Sequence, residues 1–267
     1  MINASEQTVK SADRVMQIME LLANRPRRAT LSEISQELGI PVSSLHGLLR
    51  TMRRRMWLEV DETNTRFGIG IQALLVGSSY TRSDELVARA GPMLDWLSET
   101  TGETVHYGRI EGSHIVYLAK RESKYQLRIY SAVGRRIPAN AAGLGKAILA
   151  ECGDDVVRGL LDWPLPRMTS NTLIEPADLF RDLATVRARR YATEIEESDY
   201  GLGCVAIAVP GPGPMSDAIS FAVPTARLDP GRVRQLADLL MQAQDIAARH
   251  LIFPREGRGD GYLRNLE

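Results

Sequence analysis

Four histidines (His46, His106, His114, His250) and two cysteines (Cys152, Cys204) are the residues best suited to metal or nucleophile chemistry here. Their spacing favours neither. No histidine pair has the H-x-x-x-H interval of a helical zinc site, and the cysteines stand far apart. There is no Gly-x-Ser-x-Gly elbow, and Gly143-Leu144-Gly145-Lys146 is too short for a phosphate-cradling loop. No catalysis, metal or cofactor is expected, and both cysteines read as small free thiols. The chemistry that the residues do favour is non-covalent. Gly143-Leu144-Gly145 opens a stretch of small residues, and free N–H groups at a helix start attract a carboxylate. Taken alone, the same glycines equally permit close packing. Across residues 25–55, seven arginines face two acids, a local charge of 7 − 2 = +5 in a chain of formal net charge zero. That local field suits a nucleic-acid partner better than the whole-chain charge suggests.

The elements around the arginines place them. Ser11 reads as the N-cap of an amphipathic helix carrying Val15, Ile18, Met19 and Leu22 inward and ending near Asn24. Arg25-Pro26-Arg27-Arg28 breaks it as a basic loop. Thr30-Leu31-Ser32-Glu33 is a capping box, and its helix stops at Gly39. Pro41 restarts a helix at its first turn. There Leu45, Leu48, Leu49 and Met52 share the inner face, while Ser43, His46, Gly47, Arg50 and Arg54 face outward. Two helices joined by a tight glycine turn form a helix-turn-helix, and the outer face fits a DNA major groove. Residues 57–60, a polar turn over 61–65 and residues 66–69 make a hairpin of wing size, with Arg66 placed to meet phosphate or the minor groove.

After the wing, Ile71, Leu74 and Leu75 begin a linker helix, interrupted over 81–84. Helices in this position often carry dimer contacts. A second helix over 85–99 holds Pro92. The period then changes. Strands are expected over 104–109, 114–120 and 125–132, with Glu111-Gly112 as the first turn. Helices follow over 141–151, 154–161 and 176–190, then paired apolar strands over 203–210 and 218–224. Asp229-Pro230 caps a last helix through Val233, Leu236, Leu240 and Ile246. The order predicts an antiparallel sheet flanked by helices, an α+β domain. The expected organisation is a DNA-binding domain over 1–70, a linker helix over 71–84 and a second domain over 85–267. The first ten residues hold no apolar run, and no stretch approaches the ~20 apolar residues of a membrane span, so a cytoplasmic protein is expected.

The chain resembles the IclR family of bacterial transcriptional regulators. In the first half the likeness rests on the run from Leu31 through Gly39-Ile40-Pro41 and on Ser44-Leu45-His46. In the second it rests on Gly102-Glu103-Thr104-Val105-His106, Gly134-Arg135-Arg136-Ile137-Pro138, Gly143-Leu144-Gly145-Lys146-Ala147 and Gly203-Cys204-Val205-Ala206. The resemblance implies a winged helix-turn-helix joined to a GAF-like effector-binding domain. It also implies dimers, or dimers of dimers, on palindromic double-stranded operators, with a small organic acid as effector. DNA contacts are expected from Arg27, Arg28, Ser43, Ser44, His46, Arg50, Arg54 and Arg66. Gly47 departs from the arginine that the family often carries before its paired leucines.

Carried over from the family, the effector pocket falls on the amides of Gly143, Leu144 and Gly145, on Glu194, on Cys204, and on Ser220 and Ala222. Glu194 stands where relatives binding small keto acids carry an aspartate, and Ala222 replaces a second serine. Both changes imply a larger and less polar ligand than pyruvate, such as an aromatic or substituted acid. Glu196, Glu197 and Asp199 read as a solvated acidic loop. The alternative is a regulator that senses redox state through its cysteines.

Overall fold

Thr30 and Glu33 start the helix around which the first part of the chain is organised. The Thr30 hydroxyl accepts from the Glu33 amide at 3.2 Å, and the Glu33 carboxylate accepts from the Thr30 amide at 2.7 Å. That reciprocal pair satisfies two donors left over at the helix start, and it holds the Glu33 carboxyl below its usual range. The computed structural model describes residues 8–126, 131–210 and 216–250. The chain divides into two units, Met1–Ser83 and Asp84–Glu267.

The first unit holds α1 (Lys10–Ala23), α2 (Leu31–Leu38), α3 (Val42–Arg54) and α4 (Ile71–Ser83), with strands β1 (Ala29–Thr30), β2 (Leu58–Val60) and β3 (Arg66–Ile69). The residue before α1 is Val9, with no side-chain cap, so Ser11 is not the N-cap expected of it; it lies inside the first turn. Gly39 ends α2 at φ +62°, a conformation that costs a side chain energy. Pro41 precedes α3 rather than opening it. Ile18, Ile34, Leu45, Leu49 and Leu58 close the core, and each such side chain contributes about 1.5–3 kcal/mol on burial. The wing has three strands, in the order β1-β3-β2. The first is two residues long and falls inside a stretch that reads as the end of a loop.

In the second unit Asp84 caps α5 (Glu85–Thr101), accepting from Leu86 N and Val87 N at 3.1 Å each. Arg109 bridges from Asp84 to Asp217 at 2.7 Å. The remaining elements are β4 (Thr104–Glu111), β5 (His114–Arg121), β6 (Arg136–Pro138), α6 (Gly143–Ala150), α7 (Asp154–Leu160), α8 (Pro176–Arg189), β7 (Ala192–Ile195), β8 (Leu202–Val209), β9 (Asp217–Pro224) and α9 (Pro230–His250). A short 3-10 turn, Ala139–Ala141, leads into α6. Six strands pair antiparallel in the order β6-β5-β4-β9-β8-β7.

Alternation along β8 shows why both faces are apolar. Cys204, Ala206 and Ala208 pack toward α6 and α8, while Val205, Ile207 and Val209 pack toward α5 and α9. Helices cover the sheet on both sides, an α+β architecture of the expected GAF-like kind. Three strand expectations change. The third strand is β6; of the stretch expected there, 127–130 lies outside the described residues and the flanks are not strand. β7 comes where none was expected. The first hairpin turns at Gly112-Ser113, one residue later than expected, because Glu111 still pairs with His114. Asp229 does cap α9, accepting from Arg232 N at 2.8 Å; the side chain of Ile246 lies outside the described residues.

Candidate DNA interface and effector site

Leu45, Leu49 and Met52 bury one face of α3, with Leu48 half-buried beside them. Ser43, Ser44, His46, Gly47, Arg50 and Arg54 are exposed. Arg27 is exposed as well, and among the described residues Arg27, Arg50 and Arg54 form no ion pair. Arg28 and Arg66 are differently placed. The Arg66 guanidinium donates to the Arg28 carbonyl at 3.4 Å and lies 3.7 Å from the Glu33 carboxylate. Arg28 lies 3.4 Å from Glu59. The three-stranded wing therefore brings these two arginines together, each beside a glutamate. Arg53, which is not among the expected DNA contacts, donates to Asn64 Oδ1 at 3.0 Å and ties α3 to the wing's turn.

A side chain added at Gly47 would meet open space. Gly47→Ala is therefore expected to stabilise the protein by roughly 0.5–1 kcal/mol, the helix-propensity difference without a steric cost. A rise in the thermal midpoint of the full chain checks this, and a fall would show that the helix needs glycine there.

Strand register assembles the second site. Directly paired residues in antiparallel strands share a face. One row across the sheet reads Thr104, Ala222, Cys204, Glu194, and the next reads His106, Ser220, Ala206, Ala192. Glu194, Cys204 and Ser220 are buried and Ala222 is half-buried, so the four expected residues form one patch. The start of α6 lies over it. A Cβ on Gly143 would stand 2.9 Å from Cys204 Sγ, and one on Gly145 would stand 2.2 Å from the Ala139 carbonyl oxygen. Close packing thus demands both glycines. Even so, among the described residues the amides of Leu144 and Gly145 meet no acceptor.

Burial, reinforced by the Glu194 charge, pushes the Cys204 thiol up to about 12, despite hydrogen bonds from Ser220 and Gly143. Burial also raises the Cys152 thiol. Both cysteines are free thiols.

Sequence reasoning missed the charged residues beside the patch. Lys146, fully buried on α6, contacts Glu197 at 2.5 Å and Asp182 at 3.2 Å. Glu197 is buried, so the acidic stretch 196–199 is not the solvated loop its sequence suggests. Glu194 accepts from the amides of Glu197 and of Ser198, the latter at 3.0 Å. Burial nonetheless raises its carboxyl to about 7. His106 stacks on Tyr117 with ring centroids 4.4 Å apart and bonds Ser131 at 2.7 Å. Burial, with the charges of Lys120 and Arg135, lowers its imidazole to about 3, so it is neutral.

The helix-turn-helix domain model of the IclR group matches residues 11–62, and the model of the bacterial transcriptional regulator IclR C-terminal domain matches residues 78–248. The HTH-type transcriptional regulator BhcR of Paracoccus denitrificans is 34% identical over 257 residues, 94% of this chain and 90% of that protein. Among solved structures, the IclR transcriptional regulator of Alicyclobacillus acidocaldarius superposes with a TM-score of 0.78 at 23% identity, over 89% of this chain and 97% of that one. An IclR homolog of Microbacterium hydrocarbonoxydans, complexed with 4-hydroxybenzoate, gives 0.72 at 19% identity, over 88% and 96%. With both domain models matched in order over the two units, and a relative at 34% identity along nearly its whole length, the chain belongs to the IclR family of bacterial transcriptional regulators.

Proposed function

We propose that the protein binds a palindromic operator as a homodimer, or as a dimer of dimers, and that an aromatic or substituted organic acid held in the second unit changes its affinity for DNA. The observation that carries the DNA half is the outer face of α3. Ser43, Ser44, His46, Arg50 and Arg54 are exposed on a helix whose other face is locked into the core, as groove reading requires. Arg27 adds a phosphate contact beside them, and Arg28 and Arg66 add others from the wing. The effector half is supported by the open amides of Leu144 and Gly145 above Glu194, Cys204, Ser220 and Ala222. A carboxylate can take those amides at the helix start. Ala222 and the stacked His106–Tyr117 pair favour a flat apolar body. The effector acts by linkage, binding one arrangement of the two reading heads more tightly than another.

This reading makes the chain a regulator without catalysis, cofactor or metal. The raised Cys204 thiol and neutral His106 argue against a Cys–His nucleophile pair. A DNA-binding role implies a cytoplasmic protein; no helix among the described residues is long and apolar enough to cross a membrane.

Selection of bound duplexes from a random library, at one fixed salt concentration, tests the proposal. An inverted repeat is the expected product, and its half-site spacing gives the dimer geometry. Recovery of no enriched sequence would remove the specific-regulator reading. The same duplex tests the redox alternative. Peroxide or dithiothreitol is expected to leave affinity within twofold, since protonated thiols react slowly; a tenfold change would restore that alternative.

A further inference from the structure

Arg135 lies in the turn just before β6, at one edge of the six-stranded sheet, and Asp199 follows β7 at the other edge. In a flat sheet those edges stand about 24 Å apart, five spacings of ~4.8 Å. Here the Arg135 guanidinium donates to Asp199 Oδ2 at 2.9 Å. The sheet curls, and this ion pair joins its two edges.

The pair belongs to the patch already described. Tyr117 N donates to the Arg135 carbonyl at 3.0 Å, and Gly134 N donates to the Tyr117 carbonyl at 2.8 Å, so the turn is fixed to β5. The Tyr117 ring packs on the α6 side of the sheet, against His106. Cys204, Arg135, Glu194 and Asp199 all act on its hydroxyl, which makes no hydrogen bond among the described residues. The ring is buried but its unpartnered hydroxyl oxygen is not enclosed, which leaves room there for a polar group of a ligand.

The charges around this space are mostly negative: Glu194, Glu197, Asp182 and Asp199. An anionic ligand entering here needs a cation that can change partners. Lys146 is sealed between Glu197 and Asp182. Lys120 is held by the Ser131 carbonyl at 2.8 Å and by Glu122 at 2.7 Å. Arg135 differs, because the carboxylate of Asp199 is 38% exposed. So exposed a pair binds weakly, and a ligand carboxylate can displace Asp199, offering the guanidinium a two-point contact.

We propose that Arg135 is the cation that captures and selects acidic effectors in this site, the carboxylate that takes the Leu144 and Gly145 amides also replacing Asp199 on its guanidinium. This inference rests on the reading of the second unit as a receptor for an organic acid. Displacement frees only the Asp199 carboxylate, because the surrounding turn stays fixed by Thr169, Thr172 and Glu194.

Calorimetry on the full chain tests it, with benzoate as the charged probe and benzamide as its neutral counterpart. Arg135→Gln is expected to weaken benzoate at least tenfold and to leave benzamide within twofold. Arg135→Lys is expected to fall between, keeping the charge but losing the two-point contact. Asp199→Asn is expected to tighten benzoate several-fold by removing its competitor. Benzoate affinity unchanged in Arg135→Gln overturns the assignment and leaves the acid-receptor reading intact. Weakening of benzoate and benzamide alike by both Arg135→Gln and Asp199→Asn also overturns it, since the pair would then only hold the site's shape. Failure of the unaltered protein to bind benzoate, 4-hydroxybenzoate or pyruvate removes the acid-receptor reading beneath it, and this inference with it.

Discussion

Lys146→Met is expected to destabilise the protein by about 3–5 kcal/mol at pH 8, the usual cost of removing one partner from a buried ion pair, and by clearly less at pH 5. Lys146 has no exposed surface, and its ammonium serves Glu197 and Asp182 at once. Glu197 Oε2 and Asp182 Oδ2 already lack a hydrogen bond. Without the lysine, three neighbouring carboxyls remain and no cation faces them from α6. Replacing the ammonium by a thioether of similar length keeps the packing, so the loss reports charge.

The pH dependence follows from the direction of the shifts. Burial raises Glu194 and Glu197 above the ordinary 4.5, Glu194 to about 7, and Lys146 opposes the rise in both. A carboxyl raised in the folded state binds its proton more tightly there than in the unfolded chain. Its contribution is fully present below about 4.5 and is lost as pH climbs through the folded value. In Lys146→Met both folded values climb further, so protonation at pH 5 relieves most of the defect and ionisation at pH 8 exposes it. Urea unfolding of the full chain at the two pH values measures this. Adding Glu197→Gln to Lys146→Met is expected to recover part of the loss at pH 8. A loss below about 1 kcal/mol, equal at both pH values, would show that the cluster is solvated and the argument wrong.

None of this was legible in the sequence, and the reason is physical. A lysine in Gly143-Leu144-Gly145-Lys146-Ala147 reads as one polar side of a short helix, whereas all eight residues of α6 are buried. The local signal that could have found it is the absence of any second polar residue on that helix. Its partners come from α8 and from the β7–β8 connection, separations that no local pattern encodes. What was legible was local or periodic. The Thr30–Glu33 capping box, the Gly39 terminator, the inner face of α3 and the apolar runs of β8 and β9 each follow from residues within one turn or one strand. Ser11 failed as a cap because polar residues crowd the start of α1 and several could begin it. β1 and β6 failed because two and three residues are too short to show a period, and their pairing with β3 and β5 is what makes them strands. At the candidate site, Glu194, Cys204, Ser220 and Ala222 were placed by family likeness, and the register rows explain why they converge. His106 and Tyr117 were not placed, since strand register and ring stacking bring them to the patch, and Arg135 was not, since only the curl of the sheet does so.

The double substitution Leu74→Glu, Leu75→Glu is expected to turn the protein into a monomer at micromolar concentration and to weaken full-operator binding at least a hundredfold. No residue of α4 is buried within its own unit. Ile71, Leu74 and Leu75 are 48%, 65% and 55% exposed and lie on one side of the helix, at i, i+3 and i+4. Three large aliphatic side chains held in water on one helical face imply a covering surface. A second copy of the same helix is self-complementary, as a two-fold contact requires. Each leucine so covered contributes about 1.5–3 kcal/mol, and a symmetric contact counts both copies. Glutamates there lose that contribution and set like charges face to face. A dimer binds a palindrome through two linked half-sites, while a monomer binds one, so the loss on the full operator follows from lost linkage. The α3 face itself is untouched, so affinity for a duplex carrying a single half-site is expected to change less than threefold. Sedimentation velocity together with the two duplexes separates the possibilities. If the variant sediments as the unaltered protein does, α4 is not the dimer contact; if it is monomeric yet binds the full operator undiminished, two linked reading heads are not what gives the operator its affinity.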